Sequence, residues 1–301
     1  MSKYDETTDL ALLMKLGDEG DADALCELAW RYKEGTGVEK DEKRSFELFS
    51  KAAEQNDPTA LNNVGFCYAE GIGTEIDVFT ANRYYFQAAE LGCFAAMNNL
   101  GWNYLNGIGL EKSPEEATQW FRKAAEGNFA QAQNNLAYCY QNGIGVEKDY
   151  VQANRWFETA LANGLTEAGV NLAWNCQMGN GCAIDHARAI ELYSDAAEKG
   201  VASAQCNLGY VYLYGIGTER DPEKAVRLYS LAAEQGFAEA FGPLAACYEM
   251  GYGVNKDITK ARALYHKAAS FGDATAVARL KVLEAEIIGK LDKLIRKGDA
   301  L

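Results

Sequence analysis

Four side chains in the run "CQMGNGCAIDH" are of metal-ligating type: Cys176, Cys182, Asp185 and His186. Five residues separate the cysteines and Asp185 follows three residues on, which matches no zinc signature. Three of the four also have architectural readings, Cys176 and Cys182 as buried repeat positions and Asp185 as a helix cap. Histidine is otherwise scarce. His186 and His266 are the only two in 301 residues, too far apart in sequence to suggest nucleophile–histidine catalysis. No Ser-x-x-Lys run and no phosphate-cradling glycine loop occurs. The carboxylates Glu54, Glu90, Glu126, Glu198 and Glu234 recur at one periodic position, as a solvated helix face does. The sequence predicts a chain that is not an enzyme and carries no metal or cofactor.

Charge and composition narrow the partners. Asp and Glu outnumber Lys and Arg by 43 to 29, and a net charge of −14 repels phosphate backbones and anionic lipid surfaces. Neither nucleic acid nor a membrane surface is expected as a partner. The opening "MSKYDETTDLALLMKLGDEG" holds one short apolar stretch from Leu10 to Leu16 and no basic n-region. No window approaches the roughly 18 to 20 apolar residues of a membrane span. A cytoplasmic location is the expectation. The eight cysteines form no recurring pair, and Cys67, Cys139 and Cys247 share one repeat position while Cys26 and Cys206 share another. Reduced and mostly buried thiols are expected.

What must position any functional side chain here is a repeat. Gly-x-Gly pairs begin at Gly35, Gly71, Gly107, Gly143, Gly179, Gly215 and Gly251, 36 residues apart each time, so residues 21–272 are seven tandem copies. Counting from residue 21, position four is always Ala, position eight is Leu or Val, position nine is Ala or Gly, and position twelve is Tyr except at Cys176. On a helix these fall within an arc of about 140°, an apolar stripe. The glycine pair ends that helix by supplying a left-handed cap. Position 21 is Asp41, Asp77, Ser113, Asp149, Asp185, Asp221 or Asp257, each able to cap the N-terminus of a second helix. That helix buries a small–aromatic–small face, as in Ala117, Trp120, Phe121, Ala124 and Ala125. Residues 1–20 read as an N-terminal capping helix running from Asp5 to residue 19, with Leu12, Leu13 and Leu16 in register with Leu48, Phe49 and Ala52. Residues 273–301 read as a C-terminal capping helix, with Leu283, Ile287, Leu291 and Leu294 facing the array and Lys290, Lys293 and Arg296 facing solvent, and Gly289 is a candidate break.

The combination Ala–x3–Leu–Gly/Ala–x2–Tyr–x2–Gly–x–Gly, then Asp, then Ala–x2–Trp/Leu–Tyr/Phe–x2–Ala–Ala–x2–Gly, plainest in residues 93–164 and 201–236, resembles the Sel-one-like repeats, relatives of tetratricopeptide repeats. The resemblance implies an all-α fold, a right-handed α-solenoid of helix-turn-helix units acting as an adaptor between proteins. Departures are Asn56 and Asn128 at the repeat-closing glycine, Cys176 for Tyr, and Pro243 inside the seventh repeat.

Opposite the apolar stripe, the first helix presents a second pattern. Position seven is Asn63, Asn99, Asn135, Asn171 and Asn207, position six adds Asn62, Asn98 and Asn134, and position ten is Trp30, Phe66, Trp102, Tyr138, Trp174 and Tyr210. In related solenoids this face lines the concave groove. Primary amides can read an extended peptide's backbone, and aromatics supply apolar area with little rotamer entropy. The same amides can equally bond a neighbouring repeat, and the aromatics can pack on the next first helix. In repeats two to six this arc carries Glu70 and Glu167 but no Lys or Arg, which favours a neutral or basic extended segment of another protein. The leading reading is a peptide-binding scaffold, and the alternative is an assembly module acting through the C-terminal amphipathic helix.

Overall fold

Each copy of the repeat folds as two helices whose starts and stops are set by its recurring polar and glycine positions. The computed structural model describes residues 3–5 and 7–298, except for the side chains of 287 and 290–298. All elements among the described residues are helices, which makes the chain an all-α solenoid of helix-turn-helix repeats. They fall into two compact bodies, Met1–Leu165 and Thr166–Leu301. In the first, α1 (Leu10–Asp18) precedes four pairs: α2 (Ala22–Glu34) with α3 (Glu42–Ala53), α4 (Pro58–Glu70) with α5 (Val78–Glu90), α6 (Phe94–Asn106) with α7 (Pro114–Glu126), and α8 (Ala130–Asn142) with α9 (Tyr150–Ala162). In the second, α10 (Thr166–Met178) pairs with α11 (His186–Glu198), α12 (Ala202–Tyr214) with α13 (Pro222–Glu234), and α14 (Ala238–Met250) with α15 (Ile258–Ser270), and α16 (Ala274–Gly298) closes the body.

Local chemistry sets these boundaries. Asp41, Asp77, Ser113, Asp149, Asp185, Asp221 and Asp257 all cap second helices through the side chain. The backbone N–H of the same residue donates to the position-twelve carbonyl, as Asp41 does to Tyr32 at 2.8 Å and Asp185 to Cys176 at 2.9 Å. The turn is thus tied at both ends of one residue. Gly143 ends α8 in the left-handed conformation, φ 69°. Gly145, two residues on, has a different task. A Cβ built there would lie 2.0 Å from the Pro114 carbonyl oxygen, so the turn of one repeat rests directly on the first residue of the previous repeat's second helix. Asn56 and Asn128 hold the repeat-closing position at φ 58° and 63°.

Packing follows the stripe. The position-four alanines from Ala24 to Ala240 are fully buried, and the second helices contribute Phe49, Tyr85, Phe121, Phe157, Tyr193, Tyr229 and Tyr265 to the interior. Position nine stays small because these rings lie on it: a Cβ at Gly101 would meet Phe121 Cε1 at 2.6 Å.

At the start of the first body, α1 begins at Leu10, later than the Asp5 register predicts. Asp9 caps it, whereas the Asp5 carboxylate is engaged by the Thr7 backbone and hydroxyl at 2.9 and 2.7 Å. Leu13 is buried as expected, but Leu12 is exposed. Buried Arg31 donates to the Asp5 and Thr8 carbonyls at 2.9 and 2.6 Å and holds this segment on α2. In the second body, α16 passes through Gly289 without a break, with Leu280 and Leu283 in its core and Ile288 exposed. The expected roles of Ile287, Lys290, Leu291, Lys293, Leu294 and Arg296 concern side chains outside the described set. Among the described residues no helix is long and apolar enough to cross a membrane.

Candidate functional site

The first helices carry the Asn and aromatic series, and the helix period puts the two series to different uses. In the first body Asn99 donates its amide to Asn62 Oδ1 at 3.1 Å, and Asn135 donates to Asn98 Oδ1 at 2.9 Å. Position seven of one repeat therefore bonds position six of the repeat before it, and the ladder has rungs between successive first helices. Asn134 and Asn171 are engaged as well. The rule accounts for the exceptions. Cys26 stands at position six of the first repeat, and the Nδ2 of buried Asn63 finds no acceptor among the described residues. Val170 stands at position six of the fifth, and an apolar side chain there offers Asn207 no acceptor for a rung. Asn135→Ala should accordingly lower stability by about 1 kcal/mol by stripping Asn98 of its donor, while Asn207→Ala should change it by less than about 0.5 kcal/mol. Denaturant titration checks this, and equal losses would remove the rungs as a source of stability.

The position-ten aromatics divide by place in the array. Trp30 and Phe66 lie 6.4 Å apart between ring centroids, Trp30 also meets Phe49 edge-on at 5.5 Å, and the Lys33 ammonium sits 4.8 Å from the Trp30 ring. Trp102, Tyr138, Trp174 and Tyr210 instead stand exposed, by 52%, 47%, 44% and 46%. Trp102 and Tyr138 belong to the first body, and Trp174 and Tyr210 to the second.

Each body holds a cleft between two of these aromatics. The first, of about 580 Å³, runs between Trp102 on α6 and Tyr138 on α8, with Leu105, Phe121 and Ile144 beneath and Asn134, Asn135 and Asn106 on its walls. The second, of about 490 Å³, runs between Trp174 on α10 and Tyr210 on α12, over Ile216 and Tyr229, with Asn207, Met178, His186 and Pro243 beside it. Trp102, Asn135, Tyr138 and Ile144 occupy the same repeat positions as Trp174, Asn207, Tyr210 and Ile216, two repeats apart. The clefts are thus one design built twice, apolar at the base, with aromatic side walls and amides within reach. On the first, Asn106 and Asn142 bond back to the Trp102 and Tyr138 carbonyls, each at 2.9 Å.

Reasoning confined to helix faces missed two contributors. Lys112 and His186 enter from the turn and from the start of the second helix, and reach a cleft only because the turn folds back over the preceding helix. Lys112 is the charged residue on the first cleft. Pro243 sits inside α14 without ending it and joins the second cleft's wall. Elsewhere Asp185 caps α11, accepting from the Arg188 N–H at 2.9 Å, and among the described residues no group of three or more His, Cys, Asp or Glu is arranged to hold a metal ion.

Comparison with known proteins agrees with the architecture. Residues 22–57, 58–93, 94–129, 130–165, 167–201, 202–237 and 244–273 match the Sel1 repeat. The seventh match begins directly after Pro243. The crystal structure of a Sel1 repeat protein from Oxalobacter formigenes is 33% identical over 80% of this chain and 96% of its own, with a TM-score of 0.73. A protective antigen present in uropathogenic Escherichia coli strains, displaying an SLR fold, is 30% identical over 93% of this chain and 68% of its own, with a TM-score of 0.55. No curated protein matched.

Proposed function

The chain belongs to the Sel1 repeat family, and from that premise we propose that it is a non-catalytic adaptor that binds an extended segment of another protein through the Asn- and aromatic-lined faces of its first helices. The observation that carries this reading is the pair of equivalent clefts, each walled by two half-exposed aromatics. Rigid rings beside an apolar base accept an inserted apolar side chain, and nearby amides can accept or donate to its main chain. Asn207 is the ladder residue best placed for that task, because its amide is not spent on a rung. A net charge of −14 favours a neutral or basic segment overall. Lys112 offers one local contact for a carbonyl or carboxylate of the same segment.

The test compares capture of partners by the intact chain and by two double variants, Trp102→Ala with Tyr138→Ala, and Trp174→Ala with Tyr210→Ala, after circular dichroism and melting show that all three fold. Truncating an anchoring aromatic costs on the order of 1–2 kcal/mol, about tenfold in affinity or more for each residue. Depletion of a partner by either double variant supports the reading, and equal capture by all three proteins overturns it.

A further inference from the structure

Two departures from the repeat fall in one turn. Position twelve is Tyr in six repeats and Cys176 in the fifth. The residue after the glycine pair is Val38, Thr74, Leu110, Val146, Thr218 or Val254 elsewhere and Cys182 in the fifth. The fold brings the two together. After α10 ends, the Asn180 N–H donates to the Asn175 carbonyl at 3.0 Å, and the chain doubles back. The Cys182 thiol then lies 3.8 Å from that same carbonyl and 3.7 Å from the Asn180 carbonyl. Asn175 adjoins Cys176, so the Cys182 sulfur lies against the peptide that leads into Cys176. Cys182 is exposed to solvent, whereas Cys176 is only 8% exposed.

We propose that Cys176 and Cys182 form a peroxide-oxidisable pair that closes to a disulfide across the α10–α11 turn. Their surroundings assign the roles. Burial, and then the neighbouring Cys182, push the Cys176 thiol up to about 11, so it stays protonated at neutral pH. The solvent-facing Cys182 meets the oxidant first. Its thiolate attacks hydrogen peroxide, an S–O bond forms and the O–O bond breaks, and the departing hydroxide takes up the proton Cys182 has released. The Cys176 sulfur then attacks the sulfenic sulfur, an S–S bond replaces the S–O bond, and the hydroxide leaves as water with the Cys176 thiol proton. Two thiols lose two electrons and one peroxide becomes two waters. The bond would join α10, which carries Trp174 and Met178, to the strap leading to His186, and so fasten two walls of the second cleft.

The experiment is peroxide treatment of the intact chain without reductant, followed by alkylation and mass spectrometry of the tryptic peptide 156–188, which contains both cysteines and no internal Lys or Arg. The expected product has lost both alkylatable thiols and two hydrogens within one chain, and dithiothreitol restores it. Cys176→Tyr, which installs the residue of the other six repeats, should divert Cys182 to a dimedone-trapped sulfenic acid; Cys182→Val should leave Cys176 reduced. Two intact thiols after treatment, over-oxidation of Cys182 alone in the unaltered chain, or a disulfide joining two chains would each overturn the proposal.

Discussion

Gly145→Ala should cost about 3 kcal/mol or more, and Gly37→Ala about 1–2 kcal/mol, although both glycines are second in their pair and sit at φ 65° and 72°. The shared part is conformational, since an L-residue held in the left-handed region is strained by roughly that smaller amount. The difference is steric. At Gly37 a methyl group meets nothing within 4 Å among the described residues. At Gly145 it would meet the Pro114 carbonyl oxygen at 2.0 Å, its carbon at 2.4 Å and the Thr118 hydroxyl at 2.7 Å. Two of those three are backbone atoms at the start of α7 and cannot swing aside. Thr118 is pinned too, since its hydroxyl lies 2.9 Å from both the Pro114 and the Ile144 carbonyl oxygens and can donate to either. Relief requires α8 and the turn after it to move off α7, which opens the interface between repeats. Denaturant titration of the two variants beside the parent checks the ordering. Equal losses would mean that the second glycine serves only the turn conformation.

That glycine also marks how far the sequence could be read. Helix existence, pairing and the second-helix caps were legible because each depends on residues close in sequence: a stripe, a glycine stop, an Asp four residues before the first buried Ala of α5. The need for Gly145 was visible as repetition, but its cause was not, because Pro114 is thirty-one residues away and belongs to another repeat. The site divides in the same way. The Asn series could be counted from the sequence, yet whether an amide spends itself on a rung depends on what occupies position six one repeat earlier. Cys26 and Val170 decide that for Asn63 and Asn207. The exposure of Trp102, Tyr138, Trp174 and Tyr210, against the packed Trp30 and Phe66, likewise rests on contacts between repeats. Lys112 escaped notice for a simpler reason: a helical wheel excludes residues of the turns.

Glu249→Gln should loosen the docking of α16 at neutral pH and matter progressively less in acid. Glu249 is 4% exposed near the end of α14 and faces two partners from later elements. Arg279 on α16 donates to it through Nε at 2.8 and 2.9 Å and through its terminal nitrogen, and the Tyr265 hydroxyl of α15 donates at 2.9 Å. Three helices of the second body therefore meet at one carboxylate. Breaking a buried pair leaves the other charge uncompensated at a cost near 3–5 kcal/mol, but the Arg279 side chain is 38% exposed and can rehydrate, so about 2 kcal/mol is expected here. The Arg279 guanidinium, helped by the Tyr265 hydroxyl, holds the Glu249 carboxyl below its ordinary value of 4.5, while burial opposes the shift. A carboxyl depressed on folding contributes stability that is complete above the unfolded value and disappears as pH falls through the folded one. The gap between parent and Glu249→Gln should be widest near pH 7 and should close below the ordinary glutamate range. Arg279→Lys should recover only part of the loss at pH 7, because an ammonium keeps the charge and gives up the two-pronged geometry. Unfolding titrations at pH 7 and near pH 3 decide it. A gap of the same size at both would assign the loss to packing and remove the ionic clasp from the account of how the array ends.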